Sequence, residues 1–219
     1  MAGLCLSCLN RFIDRLRLLP CDIWWETTDN RSKHIMGSKA GELKVKMSTN
    51  IAAVRSVPGR SFQDQNCRHP ECSEVETLGH VLGYCPKGEL LRNNRHHKVR
   101  SSIATTLRKA KWEVYEEVHC LAENGSTRRV EIIAIDRRNQ RSLILDPTVR
   151  FEKDDQQANN VNDEKKSIYN PCIPHFSGRY KMNINTWEVK GLLFGARGTS
   201  FKLTKTILLS LKFSNEDIN

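Results

Sequence analysis

The sequence lacks any run of apolar residues close to the ~18 that a membrane-spanning helix requires. Its amino-terminal apolar stretch has no basic segment before it, and Asn10, Arg11 and Asp14 interrupt it early, which is not typical of a secretion signal. The chain also lacks an internal repeat. We therefore expect an intracellular protein with no membrane partner. In that compartment cysteines are more often metal ligands or free thiols than disulfides.

Acidic residues are too few to balance the basic ones. The 219 residues include 35 Lys and Arg but 25 Asp and Glu, which gives a formal net charge of +10. Such a surplus favours association with a polyanion, usually nucleic acid, although an ordinary solvated basic surface gives the same count. Because 38% of the residues are hydrophobic and 27% are charged, the chain can form a folded core, and wholesale disorder is excluded.

The patterns along the chain divide it into three parts. Residues 1–62 hold two predicted helices, near 6–18 and 41–54, and look like a linking segment of something larger. Residues 63–92 are short and bear several Cys and His residues. Residues 93–213 have the periodicities of an α/β domain, for which we predict a mixed sheet with flanking helices.

The third part contains strong local signals. Val99, Ile103 and Leu107 recur every four residues in a basic segment, which predicts an amphipathic helix. Asn124-Gly125 predicts a hairpin turn. Pro147 is expected to end a strand, the stretch 170–178 to interrupt a helix, and a Thr or Ser at 199–200 to cap the last helix. The predicted order is a helix over 95–112, strands over 112–121, 129–135 and 142–146, a helix over 154–169, a strand over 186–197 and a helix over 199–213.

A cluster of Cys and His residues follows the pattern Cys-x4-Cys-x7-His-x4-Cys. Three thiolates and one imidazole complete a tetrahedral zinc site, with no position left open for catalysis. A segment this short cannot bury a hydrophobic core. Bound metal would therefore supply its folding free energy. His69 is an alternative ligand, and chance grouping in a chain with eight cysteines is the alternative explanation. The four predicted ligands are Cys67, Cys72, His80 and Cys85.

Two acidic residues break the apolar pattern of the strands on either side of the turn at 136–141. Glu131 interrupts the first apolar run and Asp146 ends the second. In an antiparallel hairpin they would lie opposite or one position diagonal, about 4.5–8 Å apart at Cβ. Two such carboxylates could hold a Mg²⁺ or Mn²⁺ ion. Each could instead point to solvent or pair with a nearby Arg, and the spacing alone leaves both interpretations open.

The order of these motifs resembles one family. The Cys-Cys-His-Cys cluster, the basic segment RNNRHHKVR, the strands RRVEIIAI and LILDPTVRFE, and EKKSIY are similar to the C-terminal region of the polyproteins of site-specific non-long-terminal-repeat retrotransposons. The resemblance spans about residues 55 to 213. It implies a restriction-enzyme-like PD-(D/E)XK endonuclease fold that nicks target DNA, so that a 3′ hydroxyl can prime reverse transcription. Full-length relatives also carry an RNA-directed DNA polymerase.

The resemblance also implies roles for particular residues. The implied catalytic set consists of Glu131, Asp146, Lys165 and Tyr169. Of these, Glu131 and Asp146 would bind the Mg²⁺ or Mn²⁺ ion. Lys166 is a near alternative to Lys165, and Glu152 is a possible additional ligand. Glu131 stands where the family has Asp, and the extra methylene puts activity in question.

Three functions remain open at this point. The first is a metal-dependent endonuclease that acts in the nucleus. It would be a fragment without the reverse transcriptase, with a site that is either active or degenerate. The second is a zinc-dependent module that binds DNA and element RNA without catalysis, and the third is a zinc protein that binds other proteins. Basic side chains would supply most of the affinity for nucleic acid. The predicted contacts are Arg92, Arg95, His96, His97, Lys98, Arg100 and Arg129.

Overall fold

A computed structural model describes residues 54–57 and 64–213. The helices predicted near 6–18 and 41–54 lie outside the described residues, apart from Val54. The described residues form two compact units. The first contains those up to Arg95 together with Arg150–Glu152 and Gly195–Thr199. The second contains His96–Val149, Lys153–Phe194 and the residues from Ser200 onward.

Residues 64–213 form a four-stranded sheet with helices before, between and after its strands. The strands follow the order β1-β2-β3-β4, in which β1–β2 and β2–β3 pair antiparallel within a mixed sheet. This arrangement confirms the predicted α/β class and is consistent with a restriction-endonuclease-like core. The strands are β1 (Glu113–Leu121), β2 (Thr127–Asp136), β3 (Arg141–Arg150) and β4 (Trp187–Gly195). The helices are α1 (Glu89–Lys109), α2 (Gln157–Tyr169), α3 (Ile173–Tyr180) and α4 (Lys202–Ser210).

Strand β2 is an inner strand of the sheet, between β1 and β3, and it is apolar on both faces. Val130 and the run 132–135 are fully buried, as expected of a central strand. The turn before β2 includes Gly125 with φ 77°, a left-handed conformation that glycine adopts without strain. In the turn after β2, the Asp136 carboxylate accepts hydrogen bonds from the side chain and backbone of Asn139. Local turn chemistry thus sets up the pairing of β1, β2 and β3.

A cluster of aromatic side chains forms much of the core of the second unit. Phe176 is fully buried, and its ring lies 6.1 Å from the rings of both Tyr180 and Trp187. The same core includes Val130 and Ile133 of β2 and Tyr169 at the end of α2. Packing of α2 and α3 on these strand residues therefore brings the C-terminal end of α2 toward the middle of the sheet.

Two local expectations were wrong, and one of them concerns proline. Strand β3 continues through Pro147 to Arg150. Its pairing with β2 ends at Leu145, so the missing N–H of Pro147 removes no hydrogen bond from that ladder. Helix α2 ends at Tyr169, as predicted from the stretch 170–178, which forms a 3₁₀ turn and then α3, each with a proline in its first turn. Helix α4 is preceded by Phe201, with no side-chain cap from Thr or Ser.

None of the helices within 54–57 and 64–213 combines the length and the hydropathy that crossing a bilayer requires.

Candidate functional site

The first unit brings four metal-binding side chains together. Their ligand atoms all lie within 4.8 Å of one another, and all four residues are buried. Two of the separations are 3.8 Å between sulfur atoms and 3.3 Å from a sulfur to the imidazole Nε2. Tetrahedral zinc, with bonds of ~2.0–2.3 Å, requires ligand separations of roughly 3.3–3.8 Å. The four are Cys67, Cys72, His80 and Cys85, so the residues fit a zinc ion, and His69 is not part of this group within the described chain.

Backbone hydrogen bonds hold the loops that carry these ligands. The backbone N–H of Cys67 donates to the Glu74 carbonyl at 2.8 Å, and that of Cys72 donates to the His69 carbonyl at 2.9 Å. His69 thus has a backbone role in the turn. The Thr77 hydroxyl accepts from the backbone N–H of His80 at 2.9 Å, where the short helical segment begins.

Burial changes the proton affinity of two of the four ligands, Cys67 and His80. Burial raises the pKa of Cys67 to about 11 and lowers the pKa of His80, so the thiol is neutral and the imidazole unprotonated at neutral pH. A bound metal ion must therefore displace thiol protons. The Nδ1 atom of His80 is buried and has no hydrogen-bond partner among the described residues.

Glu76 is a buried acidic residue beside this cluster that sequence reasoning missed. It is 3% exposed. Its carboxylate accepts from the backbone N–H groups of Arg55 at 3.0 Å and Arg68 at 2.9 Å. The Arg68 guanidinium lies 3.1 Å away. No signal in the sequence distinguishes it from the exposed acids around it, because its burial depends on contacts across a loop.

In the second unit, three side chains converge on Asp146. The Tyr169 hydroxyl donates to Oδ2 at 2.8 Å, and Lys165 Nζ lies 3.2 Å from the same oxygen. The Thr148 hydroxyl donates to Oδ1 at 2.9 Å. The Asp146 side chain is 5% exposed, so its oxygens lie in a poorly solvated place and depend on these partners. Lys165 and Tyr169 reach it together because they lie four residues apart on α2.

A glycine lets α2 approach the sheet closely enough for that contact. A Cβ at Gly191 in β4 would lie 2.9 Å from the Asn162 Cα, the Val161 carbonyl oxygen and the Lys165 Cγ. The Gly191 N–H also donates to the Asn162 side chain at 3.1 Å. Any larger residue would push α2, and Lys165 with it, away from β4. The sequence contains Gly191 without indicating this role.

Glu131 lies next to the same place but has different partners. The last paired residues of β2 and β3 are Ile132 and Leu145, and Glu131 and Asp146 are each one position beyond them. Glu131 Oε2 lies 3.2 Å from Nη1 of Arg100, and its Oε1 lies 3.8 Å from Arg129.

The charges of both acids act on the Tyr169 phenol. Burial first, and then the charges of Asp146 and Glu131, raise the pKa of Tyr169. The hydroxyl therefore keeps its proton across the neutral range and donates it in a hydrogen bond to Asp146.

Arg100 of α1 is a second residue whose role sequence reasoning missed. Its side chain contacts Glu131, Glu116 and Glu117. Burial acts to lower the pKa of Arg100, but the hydrogen bonds to Glu131 and Glu117 outweigh burial, so the pKa is raised. The basic segment of the sequence predicts a phosphate contact for Arg100. It is 8% exposed, and its guanidinium has these internal partners.

The other residues predicted to contact nucleic acid differ in exposure. Arg95 is 9% exposed, donates to the carbonyls of Leu82 and Ala196, and has its pKa lowered to about 10, mainly by burial. Arg92 donates to the Cys85 carbonyl. His97 and Lys98 are exposed. The remaining two are His96, which bonds the Pro147 carbonyl, and Arg129, whose side chain is 50% exposed.

The acidic pair can be tested for its fit to a divalent ion. Glu131 and Asp146 offer the hard oxygen ligands that Mg²⁺ and Mn²⁺ prefer, from two neighbouring strands. The oxygens have protein cations as partners, so a metal ion would have to compete with them. Glu152 belongs to the first unit, where its carboxylate accepts from the backbone and side chain of Arg197. In this structure the carboxylates of the pair are held by Arg100, Arg129 and Lys165.

Replacing Tyr169 by Phe is expected to destabilise the protein by about 1.5–3 kcal/mol, because a buried hydrogen bond to a charged carboxylate is lost. Tyr180→Phe is the matched control, since its hydroxyl is buried without a partner in the described part of the chain. We expect that control to lie within about 0.5 kcal/mol of the parent. Urea unfolding of both variants measures the difference, and equal losses would show that the Asp146 contact contributes nothing.

The comparisons with known proteins identify a distant relative. The mixed sheet with flanking helices is consistent with a restriction-endonuclease-like core, and the Cys/His cluster is a possible zinc site. No protein-family model matches the chain. The chain is 25% identical over 172 residues to the retrovirus-related Pol polyprotein from type-1 retrotransposable element R2 of Popillia japonica. The match covers 76% of this chain and 34% of that polyprotein, so the chain spans about a third of its relative and is distantly homologous to a retrotransposon polyprotein.

Proposed function

We propose that the chain is an endonuclease domain derived from a non-long-terminal-repeat retrotransposon polyprotein. It would nick target DNA and expose a 3′ hydroxyl that primes reverse transcription. One observation carries the proposal: Lys165 and Tyr169 converge on the same oxygen of the buried Asp146. A lysine beside a buried acid within a central strand has a clear use in phosphodiester hydrolysis, whereas burying such a pair for structure alone is costly.

The residues would divide the chemistry between them. Glu131 and Asp146 would hold a Mg²⁺ or Mn²⁺ ion, which when bound supplies an activated water and offsets charge on the phosphate. Lys165 would stabilise the developing charge on the scissile phosphate from its place beside Asp146. Tyr169 would orient Asp146 through its hydroxyl, which keeps its proton.

Nucleic acid binding would come from the basic side chains and the zinc module. His97 and Lys98 are exposed on α1, and Arg129 is half-exposed beside Glu131. Contacts of this kind to phosphates supply affinity with little sequence preference. We propose target DNA and element RNA as partners, acting in the nucleus. The division into a linking segment (1–62), a zinc module (63–92) and a nuclease domain (93–213) belongs to the same proposal.

A zinc-dependent nucleic-acid-binding module without catalysis is the second candidate, and one observation favours it. Glu131 stands where the related nucleases have Asp, and its carboxylate contacts the Arg100 guanidinium at 3.2 Å. A degenerate site would keep such an ion pair and would not release it to a metal. The zinc cluster and the basic helix would remain useful in that case.

A nicking assay separates the two candidates. The zinc-loaded chain is incubated with supercoiled plasmid and Mg²⁺ or Mn²⁺, beside the Glu131→Ala, Asp146→Ala double variant. Metal-dependent nicking that the double variant lacks supports the endonuclease. If both proteins shift the plasmid in a gel equally and neither nicks it, the endonuclease is rejected in favour of the binding module.

A further inference from the structure

One guanidinium contacts three carboxylates in the second unit. Nη1 of Arg100 lies 2.8 Å from Glu117 Oε1 and 3.2 Å from Glu131 Oε2, and its Nε lies 3.3 Å from Glu116 Oε2. The same nitrogen therefore serves Glu117 and Glu131, with the shorter contact to Glu117. The Arg100 side chain is 10% exposed, so it cannot turn to solvent when it loses a partner.

The backbone of β1 is distorted where Glu117 meets this cluster. The register of β1 and β2 pairs Glu116 with Ile132 and Val118 with Val130, so Glu117 faces the position of Glu131, and that one pair is missing from the ladder. Glu117 has φ 54°, a left-handed conformation that is costly for a non-glycine residue. Its ion pairs with Arg100 and Arg129 offset that cost.

We propose that Arg100 is a positioning residue. Glu131 would exchange between Arg100 and a bound divalent ion, while Arg100 keeps its contacts to Glu116 and Glu117. A divalent ion at the acidic pair would compete with Arg100 for Glu131, and the two glutamates of β1 would retain the guanidinium once Glu131 is released. The proposal rests on the proposed function, because it requires that Glu131 and Asp146 bind a metal ion.

The three contacts make this exchange feasible for a buried cation. Breaking a buried ion pair is costly when it leaves a charge with no partner. When Arg100 leaves Glu131, it keeps its shortest contact, to Glu117, and its contact to Glu116. Arginine suits this role because its planar guanidinium presents five donors on separate nitrogens, whereas a lysine presents its three donors at one nitrogen. Glu117 thereby determines how easily Glu131 becomes available.

A double-mutant cycle on Mn²⁺ affinity tests the exchange. Mn²⁺ is titrated into the zinc-loaded full chain by calorimetry, and Asp146→Asn identifies binding at the acidic pair. Arg100→Gln removes the competitor and is expected to tighten Mn²⁺ binding at least about tenfold. Glu117→Gln is expected to weaken binding about three- to tenfold, because Arg100 then depends more on Glu131. In the Arg100→Gln background the effect of Glu117→Gln is expected to vanish.

Glu113→Gln is the matched control for Glu117→Gln. Both acids lie on β1, each has an arginine partner at 2.8 Å, and their side chains are 43% and 39% exposed. The control removes the same charge and should change Mn²⁺ affinity less than about twofold. If Glu117→Gln weakens binding equally with and without Arg100, Glu117 acts as a ligand or through its field, and the exchange is overturned.

A measurement on the unaltered chain tests the exchange even if the Arg100→Gln variant does not fold. The side-chain ¹⁵N–¹H resonances of Arg100 are followed by NMR during a Mg²⁺ titration, with assignment from the Arg100→Lys spectrum. They are expected to shift with the same midpoint as the Asp146 carboxyl carbon. Static Arg100 resonances while Asp146 saturates would overturn the exchange and leave the endonuclease standing. Absence of any binding that depends on Asp146 would overturn both.

Discussion

Removal of zinc with a chelator is expected to abolish the folded structure of residues 64–95. Structural zinc contributes about 10–16 kcal/mol of binding free energy in small modules, which matches or exceeds the ~5–15 kcal/mol stability of a whole domain. The three thiols form their own cluster of buried residues in this segment. Hydrogen exchange followed by mass spectrometry should therefore show loss of protection over 64–95, and metal analysis should give one equivalent of zinc in the parent chain.

Cysteine variants make this prediction specific. Cys67→Ser with Cys85→Ser should lose the zinc and reproduce the exchange pattern of the chelated protein. Cys120→Ala with Cys172→Ala removes two buried thiols that lie outside the cluster and should keep one equivalent of zinc. Zinc affinity should fall as the pH is lowered, because protons compete for the thiolates. A metal-free parent protein with full protection over 64–95 would contradict the zinc site.

The secondary structure of the sheet could be predicted because its signals are local. Alternation marks β1, a continuous apolar run marks β2, and Asn124-Gly125 marks the turn between them. Counting across the turn at 136–141 predicts the facing positions of Glu131 and Asp146, and the observed register reaches Ile132 and Leu145, one position short of them. The error at Pro147 arose because proline ends a strand only where its missing N–H is required for pairing.

The partners of the acidic residues could not be predicted, because they depend on packing between distant segments. Arg100 lies in a basic helix whose sequence indicates a solvated face. Its guanidinium nevertheless contacts Glu131, which is 31 positions away in the sequence. Arg95 reaches the carbonyl of Ala196, 101 residues away. The basic segment predicts a nucleic acid interface, but some of its side chains are buried and others are exposed. Only the tertiary structure distinguishes the two groups.

Lys165→Met is expected to lower the rate of plasmid nicking about 10²- to 10³-fold, the range typical of a lost group that stabilises charge in the transition state. Lys165 Nζ lies 3.2 Å from Asp146, and its side chain is 15% exposed. Lys166→Met is the matched control and is expected to change the rate less than about twofold. The Lys166 side chain is 42% exposed and pairs with Asp163 on the same helix.

The two adjacent lysines differ in surroundings and not in residue type, so the pair distinguishes catalysis from general affinity for phosphate. Both variants lose one positive charge and should bind DNA with similarly reduced affinity, because exposed and partly buried cations add to the same field. Only Lys165→Met should lower the nicking rate at saturating DNA. Asp146 would keep Tyr169 and Thr148 as donors in that variant, which limits the structural cost of the change. Equal nicking by the two variants would remove Lys165 from the catalytic set.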